Sequence, residues 1–130
     1  MGPPVKVTAA IIEKNGRYLI AKRNKDAHIE ECWEFPGGKI EENETPEECL
    51  IREIKEELNI DIMVLDKYHT NIHRYDKMTI KLLSYRAEYV SGELQLNDHS
   101  EIRWIDKSEF MAFDFAPADL PIIKKLCNPF

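Results

Sequence analysis

The sequence predicts an α+β fold, a mixed β-sheet between helical layers in an α/β/α sandwich. Three observations carry that expectation. Apolar or alternating stretches at 4–13, 17–23, 61–73 and 79–90 read as strands, with a shorter one at 101–105. A sharply punctuated helix of about Pro46 to Leu58 interrupts them. Pro117 to Leu126 reads as a second, terminal helix. Strands on both sides of a central helix, with another helix at the end, suggest a sheet covered on both faces.

Each element has a local reason. Asn15-Gly16 between two apolar runs is a strong signal for a two-residue hairpin. Residues 24–43 are polar and loop-like, with a short aromatic piece at Trp33-Glu34-Phe35 and a break at Pro36-Gly37-Gly38. Thr45 is a good helix N-cap, Pro46 suits the first helical position, and Glu48 completes a capping box. Asn59 falls where a left-handed residue ends a helix. Arg74 to Met78 joins two strands, Ser91-Gly92 marks a turn, and Asp106 or Ser108 can start a short helix.

Composition narrows the class. The 130 residues, 43% hydrophobic and 32% charged, fit one soluble globular domain over 1–130. No run approaches the ~18 apolar residues of a membrane span, and Met1-Gly-Pro-Pro-Val-Lys carries no apolar signal core. Cys32, Cys49 and Cys127 are odd in number and far apart, as expected of free thiols in a reducing cytoplasm. Eighteen Lys and Arg against twenty-four Asp and Glu give −6, which argues against stable nucleic-acid binding. Residues 41–57 hold eight Glu, one Arg and one Lys, so this segment alone carries the whole imbalance.

On a wheel of ~100° per residue, Glu53, Glu56 and Glu57 share one face of the helix. Leu50, Ile51, Ile54 and Leu58 form an apolar stripe beside them, and Glu48, Arg52 and Lys55 fill the rest. Carboxylates three and four apart repel, and they sit at the end of the helix where the macrodipole disfavours anions. Helix stability alone does not choose that placement. A hard divalent cation, Mg²⁺ or Mn²⁺, would offset it, because such ions prefer oxygen ligands. Arg52 lies where it can hold carboxylates in place. Gly37 and Gly38, just upstream, allow close backbone approach.

Gly38, Glu44, Arg52-Glu53, Ile54, Glu56-Glu57 and Ile60 stand at the spacing of the Nudix box, which they resemble. The single departure is Asn59 where the pattern has Gly, and a left-handed Asn can fill that place. Val7 to Arg23, Trp33 to Lys39, Asn97-Asp98-His99 with Trp104, and Ala116 to Pro121 extend the likeness to the MutT-type branch. The resemblance implies a Nudix fold and a pyrophosphohydrolase that cuts a nucleoside triphosphate to monophosphate and pyrophosphate. It implies Mg²⁺ or Mn²⁺ held by Glu53, Glu56, Glu57, the Gly37 or Gly38 carbonyl, and Asp98, with Glu101 as a stand-in for Asp98. Glu53 is the expected general base, with Glu44 and Asp98 assisting, and Arg52 is counted among the catalytic residues. Arg23 and Lys39 are expected phosphate contacts.

Phe35 and Asp119 are the expected base-recognition residues, and Tyr75 is a further contact. An ionised Asp119 only accepts hydrogen bonds, so it suits a guanine ring and a cytosine amino group equally. An 8-oxo-dGTP type purine is the leading substrate and a cytidine nucleotide the alternative. An alternative of another class is a domain that senses a nucleotide without hydrolysing it, and the intact glutamates argue against it. His69 and His73 lie in a strand and do not form a helical zinc pair. Trp104, Phe110, Phe113 and Phe115 are expected in the core. The expected assembly is a monomer or homodimer.

Overall fold

The Asn15-Gly16 turn launches the architecture. Both residues have positive φ (53° and 77°), as a tight hairpin turn requires. Strands β1 (Val5–Lys14) and β2 (Arg17–Arg23) pair there, at Glu13 with Tyr18 and Lys14 with Arg17. Beyond the turn they separate, and residues 33–40 fill the gap. On the β1 side, the Thr8 and Ala10 N–H groups donate to the Gly38 and Pro36 carbonyls at 2.8 and 2.7 Å. On the β2 side, β3 (Trp33–Glu34) pairs through Ala21 with Glu34 and Lys22 with Trp33. The glycine loop is thus held in the split between two strands.

The structure, a computed structural model, describes residues 3–23, 32–97 and 99–128. β5 (Thr79–Ser91) runs parallel to β1, and β4 (Asp61–Arg74) runs antiparallel to β5. β6 (His99–Ile105) pairs antiparallel with β2. The sheet is therefore mixed, as expected. Period-two alternation gives it two cores. Ala10, Ile12 and Leu83 meet Leu50, Ile54 and Leu58 of helix α1 (Pro46–Leu58) on one face. Ala9, Ile11 and Leu82 meet Phe110, Phe115, Ile122 and Leu126 on the other.

The C-terminal segment departs from the expected single helix. Pro117–Asp119 is a 3-10 turn, and α2 spans Leu120–Cys127. Pro121 has no N–H, so it fits only the first turn of a helix and resets the start there. A second 3-10 turn covers Lys107–Ala112, capped by Asp106. Phe110 and Phe115 are buried, whereas Phe113 and Trp104 are half-buried and pack on the edges of the two cores. Among the described residues no cysteine forms a disulfide, and no helix is long and apolar enough to cross a membrane.

The capping box of α1 forms in full. Thr45 Oγ1 accepts from the Glu48 N–H at 3.1 Å, and Glu48 Oε1 accepts from the Thr45 N–H at 2.9 Å. Thr45→Ala should cost about 1 kcal/mol and lower the melting temperature by roughly 3–5 °C in calorimetry. An unchanged melting temperature would show that the cap adds nothing.

Candidate active site

Helix α1 buries a different arc from the one its apolar pattern suggests. Ile51 is 48% exposed, while Cys49 is fully buried. The reason is contact with the glycine loop: Cys49 Sγ lies 3.3 Å from Thr8 Oγ1 and 3.5 Å from the Gly38 carbonyl. Turning Cys49 inward carries Glu53, one turn later, to the same junction. Glu53 and Glu57 are therefore part-buried on the inner side of α1, and Glu56 stays exposed. Asn59 ends the helix in the left-handed region, with φ 60°.

Arg52 organises the acidic segment. Its Nε and Nη2 hold both Glu44 oxygens at 2.6 and 3.0 Å. Its Nη1 reaches Glu53 Oε1 at 3.0 Å and Glu56 Oε2 at 3.2 Å. Nη2 also donates to the Lys39 carbonyl at 3.3 Å and lies 3.4 Å from Glu41. Arg52 pulls the Glu44 carboxyl down to about 2, helped by the Glu41 backbone. Glu53 moves the other way: burial raises its pKa, and the opposing pull of Arg52 is smaller. One arginine thus holds a firmly ionised acid and a carboxylate of higher proton affinity.

Gly38 has the space of a cradle. A Cβ there would sit 2.3 Å from Glu53 Cδ, and one on Gly37 would sit 2.1 Å from the Thr8 carbonyl oxygen. The Gly38 carbonyl is not the free ligand that the sequence suggests. It accepts from the Thr8 N–H at 2.8 Å and the Thr8 hydroxyl at 3.0 Å. Alternation along the extended loop turns the Gly37 carbonyl the opposite way.

The donors at this place are carboxylates and a peptide carbonyl, a hard-oxygen set suited to Mg²⁺ or Mn²⁺. With the Gly38 cradle against Glu53, the residues fit such an ion. Among the described residues no three acids, histidines or cysteines already converge as a cage. Asp98 lies outside the described residues. Glu101 is unsuited to replace it: Ser100 is an extra residue in the β2–β6 ladder, so His99 and Glu101 face opposite sides of the sheet. Glu101 pairs instead with Arg103 at 2.6 Å.

A cleft of about 270 Å³ opens from this point, lined by Gly37, Gly38, Glu57, Arg23, Glu34, Phe35, Tyr75, His99 and Asp119. It brings Arg23, Phe35 and Asp119 together with Glu57 and the two loop glycines, while Glu53 and Glu56 do not line it. Lys39 is exposed beside Arg52 and does not line it. The Phe35 ring is buried at 3% exposure and packs against Phe110 and Phe115, so it is no free stacking platform. Its N–H matters more, donating to Asp119 Oδ2 at 2.8 Å. Asp119 makes no helix-capping bond. Tyr75 Oη accepts from the Ala118 N–H at 3.2 Å, and Asn71 Nδ2 donates to the Ala118 carbonyl at 3.0 Å. Those two side chains fix the peptide that carries Asp119.

Burial, reinforced by Glu34, pushes the Asp119 carboxyl up to about 8. Burial thus favours its neutral form, which has a donor that an ionised Asp lacks. Two further residues stand in the cleft without having stood out in the sequence. Glu34 holds Arg23 at 2.7 Å on one oxygen and His99 Nε2 at 2.9 Å on the other. The available signals were a lone acid between Trp33 and Phe35, and a histidine beside Asp98.

Residues 2–126 match the family model described as the NUDIX domain. The chain belongs to the NUDIX family. It is 32% identical over 120 residues to a CTP pyrophosphohydrolase of Escherichia coli K12, covering 92% of this chain and 89% of that protein. It is also 32% identical over 123 residues to an 8-oxo-dGTP diphosphatase of the same organism, covering 94% and 95%. The crystal structure of a MutT NUDIX hydrolase from Burkholderia pseudomallei superposes with a TM-score of 0.87 at 26% identity, covering 96% of this chain and 99% of that one. NUDIX hydrolases generally use divalent metal ions.

The raised pKa of Asp119 makes folding depend on pH. Between the unfolded value of 3.8 and the folded value of about 8 the folded chain binds the extra proton, so stability falls as pH rises. Asp119→Asn removes that term. Its melting temperature relative to the parent should rise progressively from pH 4 to pH 8.5. A constant difference across that range would show that Asp119 ionises freely.

Proposed function

We propose that this NUDIX hydrolase is a nucleoside triphosphate pyrophosphohydrolase that releases a nucleoside monophosphate and pyrophosphate. One observation carries the reading. Arg52 holds the part-buried Glu53 at the glycine loop, where a cleft begins that ends on Asp119. One cleft lined by both the glycine loop and Asp119 supports a single nucleotide as the ligand.

Glu53, Glu56 and Glu57, with the Gly37 carbonyl, are the groups that would hold Mg²⁺ or Mn²⁺, and Asp98 is a further candidate. When bound, the ion lowers the pKa of the attacking water and screens the phosphates. Glu53 would accept the proton of the attacking water. Arg52 keeps the Glu53 carboxylate in position, and Glu44 anchors Arg52 from the far side. Arg23 contacts the nucleotide within the cleft. Lys39 meets the outer phosphates from the exposed rim.

Asp119 reads the base. With Oδ2 bonded to Phe35, a neutral carboxyl still offers one hydrogen and a free acceptor lone pair. That pair matches the O6 and N1–H of a guanine ring, so an 8-oxo-dGTP type purine leads. It also matches N3 and the amino group of cytosine. Equal identity to the E. coli CTP pyrophosphohydrolase supports a cytidine triphosphate as the second reading.

The test is an assay with Mg²⁺ over common and oxidised nucleoside triphosphates, nucleotide sugars and dinucleoside polyphosphates. A triphosphate should yield its monophosphate and pyrophosphate, and Glu53→Gln should lower kcat by roughly 10²–10⁴-fold. Inorganic phosphate and a diphosphate as main products would refute the bond assignment. Near-normal turnover of Glu53→Gln would refute the base assignment.

A further inference from the structure

Arg23, Glu34 and His99 form a chain across three strands, β2, β3 and β6. Arg23 Nε and Nη2 both lie 2.7 Å from Glu34 Oε1. His99 Nε2 lies 2.9 Å from Glu34 Oε2. A carboxylate oxygen only accepts, so Nε2 carries the hydrogen. The His99 side chain is 3% exposed and that of Glu34 16%. All three residues line the cleft that holds Asp119.

A surface ion pair of this kind would contribute little. Here both carboxylate oxygens are used, and the partners are held by strand pairing: Arg23 opposite His99, and Ala21 opposite Glu34. Glu34 has little freedom, and neither has the guanidinium it carries. An unrestrained arginine loses much rotamer freedom when it binds a ligand. One already aligned by a fixed carboxylate loses less, which raises affinity. The same carboxylate cancels most of the long-range charge of Arg23, leaving a directional donor.

We infer that Glu34 and His99 are positioning residues for nucleotide binding, acting through Arg23 by fixing the direction of its guanidinium in the cleft. The inference rests on the reading of Arg23 as a substrate contact. It assigns Glu34 and His99 to affinity, apart from the metal-side carboxylates on α1.

The test is a mutant cycle read by calorimetric titration of 8-oxo-dGMP and CMP without metal, using the monophosphate that the parent chain binds more tightly. Glu34→Gln should weaken binding by about ten-fold, the size of one charge-assisted hydrogen bond. Arg23→Ala should weaken it at least as much. The double variant should be no weaker than Arg23→Ala alone. His99→Leu, which keeps an apolar volume in the buried place, should shift binding in the same direction as Glu34→Gln. Mn²⁺ binding, read by electron paramagnetic resonance, should stay within about two-fold in all four variants, about 0.4 kcal/mol.

Parent-like or tighter binding by Glu34→Gln or His99→Leu would overturn the inference. So would losses from Glu34 and Arg23 that add in the double variant. Parent-like binding by Arg23→Ala, or no binding of either monophosphate by the parent, would overturn the nucleotide reading itself. Lost Mn²⁺ binding would show a general structural effect in place of positioning.

Discussion

Glu41, Glu44, Glu53 and Glu56 lie within 3.4 Å of one guanidinium, that of Arg52. Without it, four like charges would meet beside the glycine loop with only water to screen them. The side chain of Arg52 is 27% exposed, so the screening is partial and the ion pairs are firmer than ordinary surface contacts. Glu44 takes two of the donors and fixes the plane of the fork. The other donors then point at Glu53 and Glu56 on the helix and at the Lys39 carbonyl of the loop. Arg52 joins helix and loop, with Cys49 at the Gly38 carbonyl, and Glu53 takes its place from both.

The sheet provides the other half of the arrangement. β1 and β2 part after a two-residue turn, and the loop with Gly37 and Gly38 occupies the space between them. That split explains why both glycines are needed. Thr8 presses on one and Glu53 on the other, so neither has room for a side chain. Trp33 continues the same logic at the far end. Its backbone pairs with Asp114 and Ala116, at 2.8 and 2.9 Å, and so brings the 116–119 segment beside Phe35. The glycine loop beside α1 and the segment that carries Asp119 both hang on one short insert, residues 33–40.

Much of this could be read from the residues in order. The helix boundaries, its capping box and its left-handed Asn59 follow from local punctuation, because they depend on neighbours a few positions away. The spacing of Glu44, Arg52, Glu53, Glu56 and Glu57 carried the family assignment for the same reason. What could not be read was the consequence of strand pairing. Cys49 replaced Ile51 in the core because the glycine loop packs there. Gly38 spent its carbonyl on Thr8, forty-one residues closer to the N-terminus than Cys49. Glu34 met Arg23 and His99 only because three strands place them together, and the extra residue at Ser100 turned His99, and not Glu101, to the side of Arg23. Burial raised the proton affinity of Asp119, which no local pattern encodes.

A divalent metal bound between the inner face of α1 and the glycine loop is what this arrangement of carboxylates calls for. The direct measurement is a crystal structure of the chain grown with Mn²⁺, with anomalous data collected near the manganese absorption edge. The account predicts an anomalous peak contacted by carboxylates from among Glu53, Glu56 and Glu57 together with the Gly37 carbonyl. A peak elsewhere, or none at saturating Mn²⁺ with the Arg52 contacts to Glu53 and Glu56 unchanged, would contradict it.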